Sequence, residues 1–491
     1  MAERTARQPE LAFYILKEHL PPMTKIPESA LQALRAVADP KSILPEDAWA
    51  PHLEEWRGRW PGETPLVLAP GSTEELSRIM AAAYAHGVAV VPQGGNTGLV
   101  GGGAAKGEVI ITTKRLRKVR DVSPEGFTMT LEAGITLQEA QQEAEKADRL
   151  FPLSIGAEGT ANIGGVLSTN AGGVHVLRYG NARDLALGLE VVLPDGRIWE
   201  GLNALRKNNT GYDLKHLFIG GEGTLGIITA AVLKLYPRPK DHVTAFLAVP
   251  SPEHAVKLLS MAQDRSGGQL GSFELMNAGT VDLVLEHFPD LPRPVKERAP
   301  WYVLMEFASG QKGILAQVAG GILENAFEEG LVSDGTIATS EAQARALWTI
   351  RHNASEAMKN DPSPCVKCDV SVPIASIPAF LRRADETVHG MEPGARIIAF
   401  GHMGDGNIHY DILGPKDGPH DAWRARMTDF EHSIHDVVVE FGGSISAEHG
   451  IGQLKRDELA ERKSPVEMDL MRAIKHAIDP KGLMNPGKLL G

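Results

Sequence analysis

Several features that define large protein classes are scarce in this chain. Only two of its 491 residues are cysteine, which excludes a disulfide scaffold and favours a reducing compartment. The N-terminus lacks a secretory apolar core, and no apolar run reaches the ~18 residues that a membrane-spanning helix needs. Acidic residues outnumber basic ones by 62 to 50, and no Lys/Arg stripe carries interleaved aromatics, which argues against nucleic acid as a partner. We therefore expect a soluble cytoplasmic protein, or one of the mitochondrial matrix if the source is eukaryotic.

The two cysteines, Cys365 and Cys368, form a C-x-x-C motif. Such a pair can be a redox site or half of a zinc site. However, the surrounding residues alternate like a β-strand, in which residues three apart point to opposite faces, and the chain has no second C-x-x-C. We therefore predict two unconnected thiols within a strand at 365–372.

The common nucleotide-binding signatures are also missing. There is no Walker A motif, and the one G-x-G-x-x-G match, at 221–226, is followed by a β-branched alternating segment that ends at Pro237. The dinucleotide-binding fingerprint requires a helix to begin inside the motif. We therefore predict a strand after the match and exclude a Rossmann-type NAD site.

Glycine, in contrast, is abundant, with 52 residues against a usual share of ~7 %. Residues 92–103 follow a predicted strand and form an uncharged loop of small residues, a pattern that lays successive backbone N–H groups against a phosphate. A second run, at 152–173, mixes glycine with hydroxyl and amide side chains and can wrap a large flat ligand with a polar edge. The first loop therefore indicates a phosphate site, with a flexible linker as the alternative, and the second indicates a site for a flat ligand.

Helix and strand signals alternate along the chain and predict an α+β protein. The first residues read as helices at 8–20 and 29–37, and beyond about residue 242 long helices, such as 340–360, alternate with strands. That later pattern predicts an antiparallel sheet with helices on one face. The predicted segments are 1–55 (helical), 56–241 (strands around the glycine-rich loops), 242–440 (the antiparallel sheet and its helices) and 441–491 (C-terminal segment).

Residues 397–413 are predicted to form a β-hairpin. Asp405-Gly406 is a favoured pair for a two-residue type I′ turn, whose central positions both require φ > 0. Counting outward from that turn places His402 opposite His409, with Cβ atoms ~5 Å apart. Two imidazoles at that separation can bind one metal ion; two ordinary histidines in a glycine-rich hairpin are the alternative.

A third ligand is expected from the segment 446–450, which reads Ser-Ala-Glu-His-Gly. Two histidines and one carboxylate, with one coordination position open, are typical of a catalytic rather than a structural zinc site. The hairpin by itself would also allow a zinc-dependent hydrolase, but that enzyme class would leave the glycine-rich loops unexplained.

Six separated motifs carry a further signal. They are PQGGNTGLVGG (92–102), IGGVLSTNAGG (163–173), LRYGNARDLALGLEVVLPDG (177–196), RKNNTGYDLKHLFIGGEGTLGIIT (206–229), GHMGDGNIH (401–409) and SAEHGIG (446–452). In this order they resemble the vanillyl-alcohol-oxidase/PCMH superfamily of flavoproteins, and within it the FAD-dependent D-2-hydroxy-acid dehydrogenases, especially the hydroxyglutarate branch. The resemblance extends from about residue 50 to the C-terminus.

The resemblance implies a PCMH-type FAD-binding domain at 56–241, an α+β cap domain for the substrate at 242–440, and a C-terminal segment at 441–491 that returns to the flavin. The pyrophosphate of FAD would lie on the backbone amides of 94–98. The residues implied to contact FAD are Pro92, Gly94, Gly95, Asn96, Thr97, Gly98, Leu99, Pro152, Gly156, Gly159, Thr160, Asn162, Gly164, Gly165, Ser168, Asn170, Gly172, Tyr179, Glu222, Gly226, Ile227, Ile228 and Asn485.

The resemblance further implies that His402, His409 and Glu448 bind Zn²⁺, or Mn²⁺ or Co²⁺, and that His449 is the general base. A bound cation would lower the pKa of the substrate hydroxyl, and the Cα hydrogen would leave as hydride to the flavin N5. Without the ion, His449 would face an alcohol proton of pKa ~15, so the metal is expected to be essential.

Arg351 and Lys367 match positions at which the family binds a substrate carboxylate, with Ser355 one helical turn after Arg351. The alternatives are a surface helix residue and an outward strand residue. Asp411, on the same face as His409, stands where hydroxyglutarate enzymes tend to carry an amide, and it would repel a second substrate carboxylate unless a cation pairs with it. The expected reaction is oxidation of D-2-hydroxyglutarate to 2-oxoglutarate, with D-lactate and D-malate as alternative substrates.

The electrons would pass to an electron-transfer flavoprotein or to the quinone pool, neither of which leaves a trace in the sequence. A homodimer is compatible with the sequence. A non-catalytic flavin-binding subunit is a further class, but it would have no use for the metal ligands.

Overall fold

The computed structural model describes residues 25–55 and 58–490, so the helix predicted at 8–20 lies outside the described residues. Up to residue 237 the helices and strands are short, and they begin with the helix predicted at 29–37. They are α1 (Glu28–Val37), α2 (Ala50–Leu53), β1 (Val67–Leu68), α3 (Thr73–His86), β2 (Val90–Gln93), β3 (Val109–Thr112), β4 (Val119–Ser123), β5 (Thr128–Glu132), α4 (Leu137–Lys146), β6 (Arg149–Leu150), α5 (Ile163–Ser168), α6 (Val176–Tyr179), α7 (Ala182–Leu185), β7 (Ala186–Val192), β8 (Ile198–Gly201), α8 (Lys215–Phe218), β9 (Ile227–Lys234) and β10 (Tyr236–Pro237).

A parallel sheet in the order β1-β3-β2 carries the first glycine-rich loop. Every residue of β3 is buried, as expected for a parallel strand that is covered on both faces. Helix α3 packs on this sheet and has clear local signals: the Ser72 hydroxyl accepts the backbone N–H of Glu75 at 3.2 Å, and Gly87 ends the helix at φ +66°. The first glycine-rich loop, 92–103, therefore begins at the end of β2.

An antiparallel sheet in the order β4-β5-β9-β7-β8 supports the second glycine-rich run. The segment after the G-x-G-x-x-G match is strand β9, as predicted from its alternation. Helix α5, which was not predicted, lies inside the glycine-rich run and packs against β5 and β9. A Cβ at Gly164 would lie 2.8 Å from the Cβ of Ala133, so the absence of a side chain there brings the helix close to the sheet, and that tertiary contact outweighs the low helix propensity of glycine.

Beyond residue 240 the helices and strands are longer. They are β11 (Asp241–Val249), α9 (Pro252–Ser266), β12 (Leu270–Asn277), α10 (Ala278–His287), β13 (Trp301–Ser309), α11 (Leu315–Glu328), β14 (Asp334–Ile337), α12 (Glu341–His352), α13 (Ala354–Asn360), β15 (Cys365–Val366), β16 (Asp369–Ser371), α14 (Ile377–Met391), β17 (Arg396–His402), β18 (Asn407–Leu413), α15 (His420–Glu440), α16 (Arg456–Arg462) and α17 (Pro465–Ile478).

The strands β11 to β18 form an antiparallel sheet in the order β14-β11-β13-β12-β17-β18-β15, and β16 also pairs with β18. The prediction of helices on one face is wrong, because helices cover both faces. On β11, Ala245 and Leu247 pack in the core that includes α9 and α11, whereas Phe246 and Ala248 pack in the core that includes α10 and α12. Alternate residues of these strands point to opposite faces of the sheet, and both sets are apolar, so helices must bury both faces.

Two elements of this part are broken where the sequence predicted continuous ones. The helix predicted at 340–360 is divided at Asn353 into α12 and α13. The strand predicted at 365–372 is divided into β15 and β16, because the backbone N–H of Cys368 donates to the Asp411 carboxylate at 3.1 Å instead of to the ladder. Both cysteines are free thiols, as predicted.

The C-terminal segment returns to the first part of the chain. Met484 forms a parallel bridge with Val90 of β2, and the backbone N–H of Asn485 donates to the Val90 carbonyl at 2.8 Å. Ser464 and Glu467 form a capping box that begins α17, the last helix before this return. Within the described residues, no helix combines the length and the apolar character that crossing a membrane requires.

Candidate metal and flavin site

The predicted hairpin exists as β17 and β18, but its register differs from the prediction. Phe400, and not His402, lies opposite His409, so the connection is the four-residue loop 403–406. Only Gly406 of this loop has a left-handed φ, +88°, whereas a type I′ turn needs two such residues. The Asp405 carboxylate instead accepts the backbone N–H of Asn407 at 3.0 Å, which forms an Asx turn. The predicted two-residue turn is therefore wrong.

His402 and His409 nevertheless lie on one face of the sheet as diagonal neighbours, with ring centroids 5.9 Å apart. Glu448 approaches them from the C-terminal segment, with its Oε1 at 3.1 Å from His402 Nε2. One ligand atom from each of the three residues lies within 4.8 Å of the other two. The tertiary structure thus brings together the three side chains that were predicted as metal ligands.

Glu274 of β12, which is fully buried, orients His402. Its Oε1 lies 2.6 Å from His402 Nδ1, which leaves Nε2 directed at Glu448. Burial alone would raise the pKa of Glu274, but the charges of His402 and Arg351 outweigh it and lower the pKa to about 2. Burial would likewise lower the pKa of His402, but Glu274 and Glu448 outweigh that effect and raise it to about 10, so a metal ion would bind His402 by displacing the proton on Nε2. Glu274 is therefore a permanent carboxylate behind the imidazole.

Asp369 of β16 has the corresponding position behind His409 and His449. Its two oxygens lie 3.7 Å from His409 Nδ1 and 3.3 Å from His449 Nδ1. It also accepts the backbone N–H groups of Glu448 and His449, both at 3.0 Å, and the Asn407 amide at 2.9 Å. Burial lowers the pKa of His409 to about 4, so this imidazole is neutral at pH 7. A neutral imidazole is the form that binds a metal.

These residues fit a divalent ion. Imidazole nitrogen and carboxylate oxygen are donors that Zn²⁺ accepts, and each of the two histidines has a carboxylate next to its other ring nitrogen. Such outer carboxylates fix the tautomer and the ring orientation of metal-binding histidines. Sequence reasoning missed Glu274 and Asp369; a single acidic residue within an otherwise apolar strand, as in the FELM stretch around Glu274, is the signal that could have found the first.

The predicted carboxylate-binding residues have different surroundings. Arg351 is buried, donates from Nε to Glu274 at 2.6 Å and covers the ring of Phe400, so it is not the surface residue of the alternative interpretation. Lys367 is half-buried at the break between β15 and β16. Ser355 is exposed on α13, beyond the break, so it is not on the same continuous helix as Arg351.

The two glycine-rich loops lie against each other and form a cradle. A Cβ at Gly95 would collide with the carbonyl oxygen of Thr160, so the loops approach each other more closely than any side chain would allow. Of the seven non-glycine residues with left-handed φ among those described, four are predicted FAD contacts: Asn96, Asn170, Glu222 and Asn485. Strained backbone of this kind concentrates at binding sites.

Two buried amide oxygens in the cradle indicate a missing partner. Oδ1 of Asn162 and Oδ1 of Asn485 have no hydrogen-bond partner among the described residues, although both amide nitrogens donate to backbone carbonyls. Buried acceptors are rarely unsatisfied, and FAD carries hydroxyl and N–H donors. The cradle therefore fits the flavin nucleotide. The metal cluster borders it, because a Cβ at Gly172 would lie 3.5 Å from Glu448 Oε1.

Two of the predicted FAD residues also contact other parts of the protein. The Glu222 carboxylate accepts the backbone N–H groups of Ile451 and Gly452, at 2.8 and 2.7 Å, and so ties the segment after Glu448 to the cradle. Tyr179 makes an edge contact with Tyr236, with ring centroids 4.7 Å apart. The other predicted contacts lie along the two loops, in α5, at the start of β9 and at Asn485 of the C-terminal segment. All the predicted FAD contacts, those of Glu222 and Tyr179 included, stay predictions.

Comparison with known families agrees with this geometry. Residues 64–201 match the FAD binding domain family, and residues 238–489, more than half of the chain, match the family described as FAD linked oxidases, C-terminal domain. The chain belongs to the FAD-linked oxidase family. FAD is therefore its cofactor and it is an oxidoreductase, which leaves a zinc hydrolase without support.

Relatives of this FAD-linked oxidase match it over almost its whole length. The D-2-hydroxyglutarate dehydrogenase of Xanthomonas citri pv. viticola is 39 % identical over 463 residues, which are 94 % of this chain and 95 % of the relative. The mitochondrial D-2-hydroxyglutarate dehydrogenase of Bos taurus is 36 % identical over 472 residues, 96 % of this chain and 85 % of the relative. The resemblance inferred from the six motifs is thereby confirmed.

The fold of the oxidase is that of the PCMH group, as expected. The crystal structure of p-cresol methylhydroxylase with bound substrate superposes with a TM-score of 0.73 at 16 % identity, covering 94 % of this chain and 96 % of that one. The 4-ethylphenol oxidase of Gulosibacter chungangensis superposes with a TM-score of 0.72 at 17 % identity. At these identities the likeness concerns the fold only.

Proposed function

We propose that this FAD-linked oxidase is a divalent-metal-dependent dehydrogenase that oxidises D-2-hydroxyglutarate to 2-oxoglutarate. The observation that carries the proposal is the position of Glu448 beside the flavin cradle. Its carboxylate completes a two-histidine, one-carboxylate set and lies next to Gly172 of the second glycine-rich loop. A metal ligand set at that border suits a substrate that binds the ion through its hydroxyl and meets the flavin through its Cα.

His402, His409 and Glu448 would hold the ion. When bound, the ion would stabilise the substrate alkoxide and FAD would accept the hydride. His449 is the residue that we propose as general base. Asp369 lies 3.3 Å from its Nδ1, so the carboxylate would hold the ring with Nε2 free to accept the hydroxyl proton. The same carboxylate accepts the His449 backbone N–H, which fixes the residue at two points.

Arg351 and Lys367 would bind the second carboxylate of a dicarboxylic substrate. Only the Nε of Arg351 donates a hydrogen bond within the described part of the chain, so its terminal amino groups retain donors for a carboxylate. Lys367 forms no ion pair or side-chain hydrogen bond with any described residue. Ser355 is exposed, and we retain it only as a contact that a bound substrate would make.

Asp411 has a positioning role in this proposal. It is buried on the same face of β18 as His409, and its carboxylate accepts the Cys368 N–H next to Lys367. It would thereby hold the break between β15 and β16, from which Lys367 extends. Repulsion of a second substrate carboxylate by Asp411 keeps the monocarboxylic D-lactate as an alternative substrate. D-Malate is the other alternative, and the names of the relatives favour hydroxyglutarate.

We also propose that the electrons pass to an electron-transfer flavoprotein or to the quinone pool, that the enzyme acts in the cytoplasm or the mitochondrial matrix, and that it forms a homodimer. None of these proposals affects the chemistry of the site. They rest on the class of enzyme alone.

An anaerobic titration tests the function directly. D-2-Hydroxyglutarate, D-lactate and D-malate are added in turn to the purified protein, and the visible absorbance band of the flavin is followed before and after treatment with a chelator. We expect stereospecific bleaching, fastest with D-2-hydroxyglutarate, which disappears on chelation and returns with Zn²⁺. Bleaching that persists after verified removal of the metal would refute the metal role and leave the dehydrogenase.

A further inference from the structure

A basic cleft lies on the surface of the FAD-binding part, away from the metal ligands. It has a volume of about 740 Å³ and is lined by α7, β7, α8, β9 and the loop between β8 and α8. Five Lys or Arg side chains line it against two aspartates, Asp184 and Asp213, in a chain whose net charge is −12. The five are Arg183, Arg206, Lys207, Lys215 and Lys234.

Most of this positive charge is not neutralised by carboxylates. Arg183 donates to the carbonyls of His216 and Ile219, at 2.9 and 2.5 Å, and Lys234 donates to the carbonyl of Asp184, so neither uses an acidic side chain. Arg206 and Lys207 are exposed and form no ion pair with any residue that the structure describes. Lys215 is the exception, since it pairs with Asp213.

The loop that supplies Arg206 and Lys207 also exposes apolar side chains. Tyr212 is 94 % exposed, more than any other large apolar side chain in the described part of the chain, and Leu205 is 58 % exposed. Tyrosine and arginine are enriched in the residues that dominate protein–protein binding energy. Exposed apolar groups among cations are therefore typical of a protein-binding surface.

The cleft is one layer from the predicted flavin loop. The backbone N–H of Arg183 donates to the side-chain oxygen of Asn170 at 3.0 Å, and the N–H of Gly220 donates to the Leu167 carbonyl at 3.0 Å. Two segments that border the cleft are thus hydrogen-bonded to the 163–173 loop. None of the cleft's side chains belongs to the proposed metal or substrate sites.

We propose that this basic cleft docks the acidic redox protein that reoxidises the flavin, an inference that rests on the proposed dehydrogenase function. Reoxidation releases two electrons and two protons from the reduced flavin. The partner's one-electron centres take the electrons in two steps, and solvent takes the protons. Because the rest of the chain is acidic, long-range electrostatics would direct an acidic partner to this cleft and away from other faces.

The concave shape argues against a membrane surface as the partner. A bilayer is flat, and an anionic one would be repelled by the net charge of the chain. A second copy of the chain is acidic overall and is the remaining alternative. The experiment therefore includes a readout for each.

The test uses the full-length holoenzyme and a purified acidic electron-transfer flavoprotein as the probe. The variant R206E/K207E reverses two exposed charges, and Y212A removes the exposed ring. The matched control, K257E/K312E, makes the same charge change at exposed lysines of the other domain. Turnover with D-2-hydroxyglutarate is measured with the probe and with 1,4-benzoquinone, a small neutral acceptor, each at low and high salt.

We expect R206E/K207E to lower kcat/KM for the probe by at least about tenfold at low salt and to remove its salt dependence. Y212A should lower kcat/KM for the probe at both salt concentrations, and turnover with benzoquinone should match the wild type in every variant. Equal losses in R206E/K207E and the control would overturn the proposal, as would a wild type that reduces benzoquinone but not the probe. The proposal would also be overturned if the wild type bound anionic vesicles, or formed a dimer, and R206E/K207E abolished that binding or that dimer. A protein that no 2-hydroxy acid bleaches would instead refute the proposed function itself.

Discussion

Glu274 joins Arg351 to His402. Its carboxylate, which is fully buried, lies 2.6 Å from Arg351 Nε and 2.6 Å from His402 Nδ1. One residue of β12 thereby orients a proposed substrate-binding guanidinium from α12 and a proposed metal ligand from β17. Because the inner donor of each group is occupied, the outer atoms of both face the site.

Replacement of Glu274 by glutamine should weaken both the fold and the metal site. The amide cannot neutralise Arg351, and breaking a buried pair by removing one partner costs about 3–5 kcal/mol. Loss of the carboxylate behind a metal-binding histidine should lower metal affinity by about 10–100-fold. Urea unfolding and metal titration of the apoprotein measure the two effects. Glu28→Gln, at an exposed pair with Arg35, should change neither; an equal effect at both positions would contradict the proposed role.

Replacement of His409 by alanine should abolish metal binding without affecting FAD binding. We expect the variant to retain FAD and to lose the metal, with turnover reduced at least about 100-fold because the substrate hydroxyl is no longer acidified. Elemental analysis and the flavin absorbance measure the two contents in one sample. His86→Ala, at an exposed histidine of α3, should keep both. Loss of FAD together with the metal would indicate a folding defect.

Arg351→Lys should impair dicarboxylic substrates selectively. A lysine ammonium can pair with Glu274 or with a carboxylate, but it lacks the planar set of donors that serves both. Loss of a charge-assisted hydrogen bond of ~1.5–3 kcal/mol corresponds to a rise in KM for D-2-hydroxyglutarate of about 10–100-fold. The effect on D-lactate should be much smaller. Arg345→Lys, on the exposed side of α12, is the matched control, and a uniform effect on both acids would argue against binding of the distal carboxylate.

Glu222→Gln should loosen the segment that carries Glu448 and His449. The carboxylate accepts two N–H groups, from Ile451 and Gly452, and an amide can accept only one of them, which leaves a buried donor unsatisfied at a cost of about 1–3 kcal/mol. We expect faster proteolysis within the C-terminal segment and a fall in kcat larger than the change in KM. Glu200→Gln, at an exposed position on β8, should leave both unchanged. A Glu222→Gln variant that loses FAD but keeps the segment protected would contradict this role and favour a direct contact between Glu222 and the flavin.

Glu458 should contribute to acid sensitivity. Burial alone would raise its pKa, but His435 and Arg462 outweigh burial and lower it from 4.5 to about 2. A depressed carboxyl pKa stabilises the fold fully above the unfolded value of 4.5, and this stabilisation is lost as the pH falls towards 2. Glu458→Gln should therefore lower the free energy of unfolding by about 3 kcal/mol at pH 7, with a difference from the wild type that shrinks below pH 4.5. Urea unfolding at several pH values measures this; a difference independent of pH would contradict it.

Features with local causes were predictable from the sequence. Ser72 and Gly87 bound α3 through capping and a left-handed turn, the alternation at 227–236 gives β9, and the glycine-rich loops stand where the cradle is. The pair His402 and His409 could also be found. The predicted and the observed hairpin registers differ by two residues, and a shift of two residues keeps both side chains on the same face of the sheet.

The sequence by itself therefore determined most of the helices and strands, which depend on residues close together in the chain, the glycine-rich loops, and the three candidate metal ligands, which stand in short motifs. Only the tertiary structure decided that Phe400 lies opposite His409, that helices cover both faces of the sheet, and that Glu274 and Asp369 stand behind the histidines. These features join residues that are distant in the chain, such as Glu274 and His402, or depend on an Asx turn at Asp405 that competes with the favoured hairpin turn. Local propensity carries no information on such contacts, because the packing of whole strands selects them.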